Sequence, residues 1–289
     1  MGIAEPYLAP PISRGLRVRT RNVFAGTSVG SYVAFGAIAI VCGVTIFAKQ
    51  VTPFSPNLPV ADPLLHPSLA HLAGTDEVGR DVFSRILIGM ASSWWGAMAV
   101  ILSGVVIGGL VGLVAGATGG IVDGLLMRVT DIFLALPGAV LAVAVVAALG
   151  PSYVHTLVAV AIVWWPLYAR IVRGEVTRLR AAPHIEAARV AGTGRVRIAV
   201  RHLMPGAVPP TLVAATLDVG ALVLTVAGLS FLGLGAPAPA PELGSMAEKG
   251  LTYMFDAWWV PVLPAVAVAV LVVVANFAGD ALRDRIRDR

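Results

Sequence analysis

Long apolar stretches separated by short polar ones run through most of the chain. Six of them come close to the length of about 20 residues that a membrane-spanning helix needs. They occupy residues 31–48, 92–117, 125–149, 152–171, 209–231 and 258–279. Pro137 and Pro166 lie inside the third and fourth stretches, where proline is expected to kink a helix. The pattern predicts an all-α polytopic membrane protein with six transmembrane helices.

The first apolar stretch allows two interpretations. A secretory signal peptide also has an apolar core, but this stretch is long for one and no small-x-small cleavage site follows closely. We therefore predict a transmembrane helix over residues 30–49. The rest is predicted to comprise a cytoplasmic tail over 1–29, an extracytoplasmic loop over 50–91, a five-helix transmembrane domain over 92–280 and a cytoplasmic tail over 281–289.

Basic residues set the predicted orientation of these helices. With the N-terminal tail inside, all but four of the 21 Lys and Arg residues fall on the cytoplasmic side, which is the positive-inside pattern. The four on the other side are Lys49, Arg80, Arg85 and Lys249. The pairs Trp94–Trp95 and Trp258–Trp259 fall at the outer interface, where aromatic residues are enriched. Both tails are therefore predicted to be cytoplasmic.

Composition agrees with a membrane protein. The 289 residues are 57% hydrophobic and 13% charged, with a mean hydropathy of +0.85. A net charge of +5 would suggest nucleic-acid binding in a soluble protein, but the membrane orientation explains it here. The one cysteine, Cys42, lies in an apolar stretch and excludes an intrachain disulfide.

A charged stretch interrupts the apolar pattern at residues 186–205, EAARVAGTGRVRIAVRHLMP. Pro183 and Glu186 suit the first turn of a helix, and Gly192 is typical of a left-handed helix stop. A second short helix follows, and Pro205 is predicted to end it. Its apolar face is predicted to consist of Val196, Val200 and Leu203, and its basic face of Arg195, Arg197 and Arg201.

This stretch resembles the EAA loop in the permeases of binding-protein-dependent ABC importers. Five residues stand at the spacing of that family's motif, and Met204 stands where Leu is usual. The five are Glu186, Ala187, Ala188, Gly192 and Pro205. The resemblance implies a type I ABC importer permease fold with cytoplasmic coupling helices in this loop, at about residues 172–206. It also implies that the five residues dock an ATPase subunit.

Two further stretches resemble the dipeptide/oligopeptide/nickel branch of these permeases. Residues 74–85, GTDEVGRDVFSR, match that branch's GTDxxGRDxxSR segment, and residues 229–235, LSFLGLG, with the Pro/Ala-rich loop after them, resemble it as well. The charges of residues 74–85 exclude this segment from the bilayer core. We therefore predict an amphipathic interfacial helix here, within the extracytoplasmic loop.

Glycine recurs at every fourth position in the second apolar stretch. The series consists of Gly104, Gly108, Gly112, Gly116 and Gly120. Repeated GxxxG spacing gives a helix one face without side chains, along which another backbone can approach closely. Glycine is common in membrane helices, but five in strict register favour a packing role.

Polar residues inside the apolar stretches are candidates for the solute pathway. A charge at mid-membrane costs about 2.5–3.5 kcal/mol on insertion scales, so Asp218 is predicted to face the bundle interior or a watery path. It can line that path or bind a neighbouring helix by hydrogen bonds, and the sequence favours neither. Asn276 is the second candidate, and Asp131 is predicted to pack with Arg128. Val226 stands where the family often has an acidic residue, so no solute contact is carried over.

Motifs for catalysis are absent from the sequence. Lys49 and Lys249 are the only lysines, and neither stands in a Walker A sequence. The histidines show no metal-ligand spacing, and there is no HExxH or GxSxG motif. The chain is therefore predicted to be neither an enzyme nor a metal or cofactor protein.

The resemblance implies a permease subunit in the bacterial inner membrane that forms half of the pathway for di- or oligopeptides. Its implied partners are a second permease, two subunits that bind ATP and Mg, and an extracytoplasmic solute-binding protein. Nickel or another small solute is the alternative cargo. A stand-alone secondary transporter would need internal repeats, and none is evident between residues 30–150 and 151–280. A membrane-embedded enzyme would need a catalytic constellation.

Overall fold

The computed structural model describes residues 29–287, and every regular element within them is helical. The α-helices are α1 Val29–Ile46, α2 Ala48–Val51, α3 Val82–Thr118, α4 Gly120–Ala135, α5 Gly138–Leu149, α6 Tyr153–Arg180, α7 Pro183–Val190, α8 Arg195–Ile198, α9 Met204–Leu229, α10 Leu243–Gly250 and α11 Trp259–Arg287. The all-α prediction is confirmed. Residues 1–28, most of the predicted N-terminal tail, lie outside the described residues.

Within residues 29–287, four helices are long and apolar enough to cross a membrane. They are α3, α6, the continuous helix Arg195–Leu234 that contains α9, and α11. The pair α4 and α5 supplies a fifth if it counts as one span, and α1 is a shorter apolar helix. The structure reaches six spans only when both of these are included, so the exact count stays a prediction.

The helices extend well beyond the apolar stretches that predicted them. α3 begins ten residues before residue 92, and α6 continues nine residues beyond residue 171. α11 continues through the predicted C-terminal tail as far as Arg287. Hydropathy marks the part of a helix that lies in lipid, whereas backbone hydrogen bonding continues into the polar ends.

The predicted interfacial helix in residues 74–85 is absent, and most of that segment is irregular. Gly74 and Gly79 have φ of +71° and +82°, a left-handed conformation that breaks any helix. Asp81 then caps α3, because its carboxylate accepts a hydrogen bond from the Ser84 amide at 2.7 Å. The charges that suggested a surface helix instead form a tight turn before the span.

These charges are buried and paired with one another. Arg80 Nε lies 2.6 Å from Asp76 Oδ2, and both side chains are almost fully buried. Arg85 Nη1 donates to the carbonyl of Pro56 at 2.6 Å and to that of Pro239 at 3.2 Å. Arg85 therefore connects the start of α3 to two loops that lie far apart in sequence.

The third apolar stretch is broken rather than kinked. Pro137 separates α4 from α5, and the two helices meet at 88°. Proline cannot donate the helical hydrogen bond and disfavours helical backbone at the residue before it, so the helix stops at this point.

Ion pairs connect α4 to α6. Asp123 accepts two hydrogen bonds from Arg173, at 2.6 and 2.7 Å. Asp131 pairs with Arg170 at 2.6 Å, so its predicted packing against Arg128 is wrong. The two side chains belong to different helices, a contact that sequence proximity could not reveal.

A π-helical segment and a loop connect the C-terminal end of α9 to α10. The π-helical segment, Ser230–Leu234, follows α9, and the helical path breaks within it at Gly233, which has φ of +79°. Glu242 caps α10, its carboxylate accepting hydrogen bonds from the amides of Gly244 and Ser245, both at 3.2 Å. Burial raises the pKa of this carboxyl above its ordinary value.

Candidate functional site

The segment between α6 and α9 forms a helical hairpin, residues 183–203, built on the end of α6. Only Ala181 and Ala182 separate α6 from α7, and Pro183 occupies the first turn of α7, where its missing N–H has no cost. Ile185 is fully buried and is the buried side chain of α7. Complete burial of one such side chain contributes about 1.5–3 kcal/mol.

A small apolar cluster holds the hairpin in place. Its buried members come from α6, α7, α8, the π-helical turn Ala199–Leu203 and the start of α9. They are Val172, Val176, Ile185, Ile198, Leu203 and Ala207. The end of α3 also packs on this cluster, through Leu113 and Ala117. The hairpin is therefore continuous with the spans at both of its ends and is anchored between them.

The turn at Gly192 has the hydrogen bonds of a Schellman motif. Gly192 has φ of +81°, its amide donates to the Arg189 carbonyl at 2.9 Å, and the Thr193 amide donates to the Ala188 carbonyl at 3.0 Å. Space around Gly192 is open, so only the backbone conformation requires glycine here. The predicted left-handed stop is confirmed.

The outward face of the hairpin is uncovered. Glu186 and Ala187 are exposed, and Ala188 is half-buried. Val190 and Val196 are also exposed, at 86% and 78%. The prediction that Val196 and Val200 form an apolar packing face with Leu203 is wrong, because only Leu203 is buried. Ile198 provides the second buried contact instead, because a π-helical turn changes the residue spacing.

That π-helical turn also explains why Pro205 does not end a helix, contrary to the prediction. Proline removes the amide that would bond to the carbonyl four residues earlier. The π-helical turn Ala199–Leu203 inserts one extra residue just before it, so the chain continues into α9. Pro205 itself is exposed. The helix therefore continues through this point from α8 into α9.

The glycine series on α3 lies against α6, the helix that carries the hairpin. An added Cβ at Gly108 would lie 2.8 Å from the Ala169 amide nitrogen, and one at Gly112 would lie 2.9 Å from that of Arg173. Gly104 faces the Tyr168 ring and Gly116 faces Val176. Gly120 lies beyond the end of α3 and has open space around it, so it takes no part in this packing.

The two candidate pathway residues are not brought together. Asp218 on α9 is half-buried, and its Oδ2 accepts hydrogen bonds from Tyr168 Oη at 3.0 Å and Trp164 Nε1 at 3.4 Å. Asn276 on α11 lies against Gly220. Residues 218 and 220 point about 200° apart around a helix. Asp218 and Asn276 therefore lie on opposite sides of α9.

A family model described as "Binding-protein-dependent transport system inner membrane component" matches residues 104–289, which include α6, the hairpin and α9. The chain belongs to this family. It is thus an inner membrane permease of such a transport system, and the hairpin lies within the matched residues.

Curated relatives of this permease cover nearly its whole length. The probable D,D-dipeptide transport system permease protein DdpC of Escherichia coli (strain K12) is 41% identical over 86% of this chain and 83% of its own. The nickel transport system permease protein NikC of the same strain is 36% identical, over 92% of this chain and 96% of its own. The glutathione transport system permease protein GsiD of Pectobacterium atrosepticum is 38% identical, over 95% and 93%.

A solved structure supports the fold of the permease. The MetNI methionine ABC transporter in an inward-facing conformation matches with a TM-score of 0.55. The match covers 71% of this chain and 96% of the other at 24% identity. The likeness extends to the arrangement of helices and confirms the type I importer architecture.

Proposed function

We propose that this permease forms half of the translocation pathway of an ATP-driven importer of peptides, and that α7 docks an ATPase subunit. The observation that supports the docking proposal is the difference in burial between the two sides of α7. One side is fixed by a single fully buried residue, Ile185, while the opposite side exposes Glu186, Ala187 and Val190. Small residues beside an exposed carboxylate and an exposed valine suit insertion into a groove on another protein.

The same geometry supports transmission of movement into the membrane. α7 follows α6 after two residues, and α8 continues through the π-helical turn into α9. The buried cluster between them keeps the hairpin from moving independently. When the ATPase subunits approach each other, displacement of α7 therefore changes the tilt of α6 and α9.

The partners in this proposal supply what the permease itself lacks. ATP and Mg bind to two ATPase subunits, and this chain contributes neither cofactor sites nor catalysis. A second permease subunit completes the pathway, and an extracytoplasmic binding protein delivers the solute. The printed description of the family supports the binding protein, and the numbers of subunits and the sites for ATP and Mg are part of the proposal.

Peptides are the proposed cargo, because the printed names of relatives such as DdpC and GsiD specify a D,D-dipeptide and glutathione. Nickel is the alternative, because NikC is of similar identity. Uptake by the reconstituted complex of di- and oligopeptides and of nickel chelates decides between the two cargoes.

Copurification from membranes tests the docking proposal. In wild type, the tagged permease should bring down an ATPase chain, which a stand-alone secondary transporter would not do. Glu186→Lys places a cation at the positive end of α7 and in the proposed contact. Loss of a buried charged contact costs about 2–5 kcal/mol, so retention of the ATPase should fall by at least about tenfold.

Two glycines in the same turn give a matched pair for this test. Gly192→Val forces a β-branched residue to positive φ, whereas Gly194 has φ of −64° and an extended backbone that valine adopts readily. Both sites have open space around them. Gly192→Val should release the ATPase, and Gly194→Val should retain it, at equal membrane abundance. Full retention by both Glu186→Lys and Gly192→Val would refute docking by this hairpin.

A further inference from the structure

Asp218 is a carboxylate inside a membrane-spanning helix whose described partners are all uncharged. Tyr168 Oη and Trp164 Nε1 both donate to the same oxygen, Oδ2. The indole N–H can only donate, so the Oδ2 atom acts as an acceptor. Within residues 30–285, no hydrogen bond reaches Oδ1 and no ion pair includes Asp218. Half of the carboxylate thus remains available to a ligand.

The side of α9 that carries Asp218 does not suit contact with lipid. A carboxylate that faces hydrocarbon is costly, and intramembrane acidic residues face a bundle interior or a water-filled cavity. Its neighbours on this side, one and two turns away, include the small residues Ala214, Ala221 and Thr225. In the isolated chain Ala221 is exposed and Thr225 is half-buried. This side therefore faces the pathway or the second subunit that shares it.

The two donors also restrict the kind of ligand that fits. Tyr168 is fully buried and Trp164 is half-buried, so both are held in place beside the carboxylate. A second anion is repelled by Asp218, and an apolar group leaves Oδ1 without a partner. A cation gains the charge of the carboxylate and supplies the partner that Oδ1 lacks.

We propose that Asp218, with Trp164 and Tyr168 beside it, is a cation-binding point on the translocation pathway that takes the α-ammonium group of a crossing peptide. This inference rests on the proposed import of peptides. An ammonium group presents three donors and matches a carboxylate with one free oxygen. The peptide then crosses with its amino terminus against α6 and α9, and the rest of its length lies toward the second subunit.

Conservative variants separate charge from packing. Asp218→Asn keeps an oxygen that accepts from Tyr168 and Trp164 but removes the charge, whereas Tyr168→Phe keeps the charge and removes one hydrogen bond. If Asp218 only holds α9 to α6, Tyr168→Phe has the larger effect. If it binds the ammonium group, Asp218→Asn has the larger effect, and Asp218→Glu restores part of the lost activity.

The assay is uptake of dialanine by the complete importer in proteoliposomes, with its binding protein and ATP. Asp218→Asn should lower kcat/KM by about tenfold to a hundredfold, the usual size of a charge-assisted contact, with normal yield of complex. Thr211→Val serves as the control, because its hydroxyl bonds only the Ala207 carbonyl of its own helix. Uptake should be unchanged in this variant. Wild-type kcat/KM in Asp218→Asn would overturn the proposal.

A second uptake assay, with Ni²⁺, distinguishes failure of the cation-binding point from failure of the proposed peptide import. If the wild-type importer takes up dialanine and Asp218→Asn does so equally well, only the cation-binding point fails. If it takes up Ni²⁺ but no dialanine, the peptide function fails. A tenfold loss of Ni²⁺ uptake in Asp218→Asn then still supports a cation-binding point, and undiminished Ni²⁺ uptake overturns it.

Discussion

Adding one methyl group at Gly108 should measurably destabilise the packing of α3 on α6. The new Cβ lies 2.8 Å from the Ala169 amide nitrogen and closer still to the Trp165 carbonyl oxygen. Ordinary carbon contacts lie at about 3.5–4.0 Å, so the helices must separate by roughly 0.7 Å or more. The obstacle is backbone, which cannot rotate aside as a side chain can. Overpacking of this kind costs about 1–3 kcal/mol.

The neighbouring glycine provides the control. Gly109 has nothing within 4 Å of an added Cβ, so Gly109→Ala changes helix propensity without a clash. Replacing glycine by alanine in a helix gains up to about 1 kcal/mol in either variant. The difference between Gly108→Ala and Gly109→Ala therefore isolates the packing cost of about 1–3 kcal/mol.

The assay is size-exclusion chromatography of the detergent-solubilised permease after heating, which gives an apparent Tm. One kcal/mol corresponds to a shift of about 2–4 °C in domains somewhat smaller than this one. The Tm of Gly108→Ala should lie at least about 2 °C below that of Gly109→Ala. Gly108→Leu and Gly112→Leu should also reduce the yield of assembled complex. Equal Tm values for the two alanine variants would refute close backbone packing at Gly108.

Two further predictions concern topology and pH. In a Cys42→Ala background, an impermeant thiol reagent should label Leu69→Cys in intact cells but Val190→Cys only after permeabilisation. Both sites are highly exposed, and the arginine distribution places them on opposite sides of the membrane. The reverse labelling pattern would show that the predicted orientation is inverted. Burial raises the pKa of the Glu242 carboxyl in the folded state above its ordinary value of 4.5. The folded protein therefore binds the carboxyl proton more tightly than the unfolded chain does. The free energy of unfolding should fall as pH rises from about 4.5 through the folded pKa. Glu242→Gln should flatten this part of the Tm–pH curve, and an unchanged slope would exclude Glu242 as its source.

Local backbone chemistry made part of the hairpin predictable from sequence. Gly192 was identifiable because a glycine after a helical stretch commonly takes positive φ, and it does so here. The equally local rule that proline ends helices gives the wrong prediction for Pro205, because the helix continues through it. A π-helical turn before it absorbs the missing hydrogen bond. Whether a proline stops or merely distorts a helix depends on the packing of the flanking residues, which single-residue preferences do not contain.

Contacts between segments that lie far apart in the chain could not be predicted from the sequence. Residues 74–85 suggested a surface helix because charges normally avoid burial. Arg85 instead bonds the carbonyls of Pro56 and Pro239, and those partners lie outside any local pattern. Similarly, Asp131 was assigned a partner on its own helix, whereas Arg170 reaches it from α6. The polytopic membrane fold and the glycine face of α3 depend only on the spacing of residues along the chain, so the sequence predicts both without knowledge of such contacts.

The helical path that begins at Arg195 continues through α9 as far as the break at Gly233, and this length has a mechanical consequence. At 1.5 Å per residue the path from Arg195 to Leu232 extends about 57 Å. Leu203, buried in the apolar cluster that holds the hairpin, lies near one end of this path. If the path pivots there, its arm on the hairpin side is about 13 Å long and its arm toward Leu232 about 44 Å. In the docking mechanism proposed above, a displacement of about 2 Å of the short arm becomes one of about 7 Å at the far end.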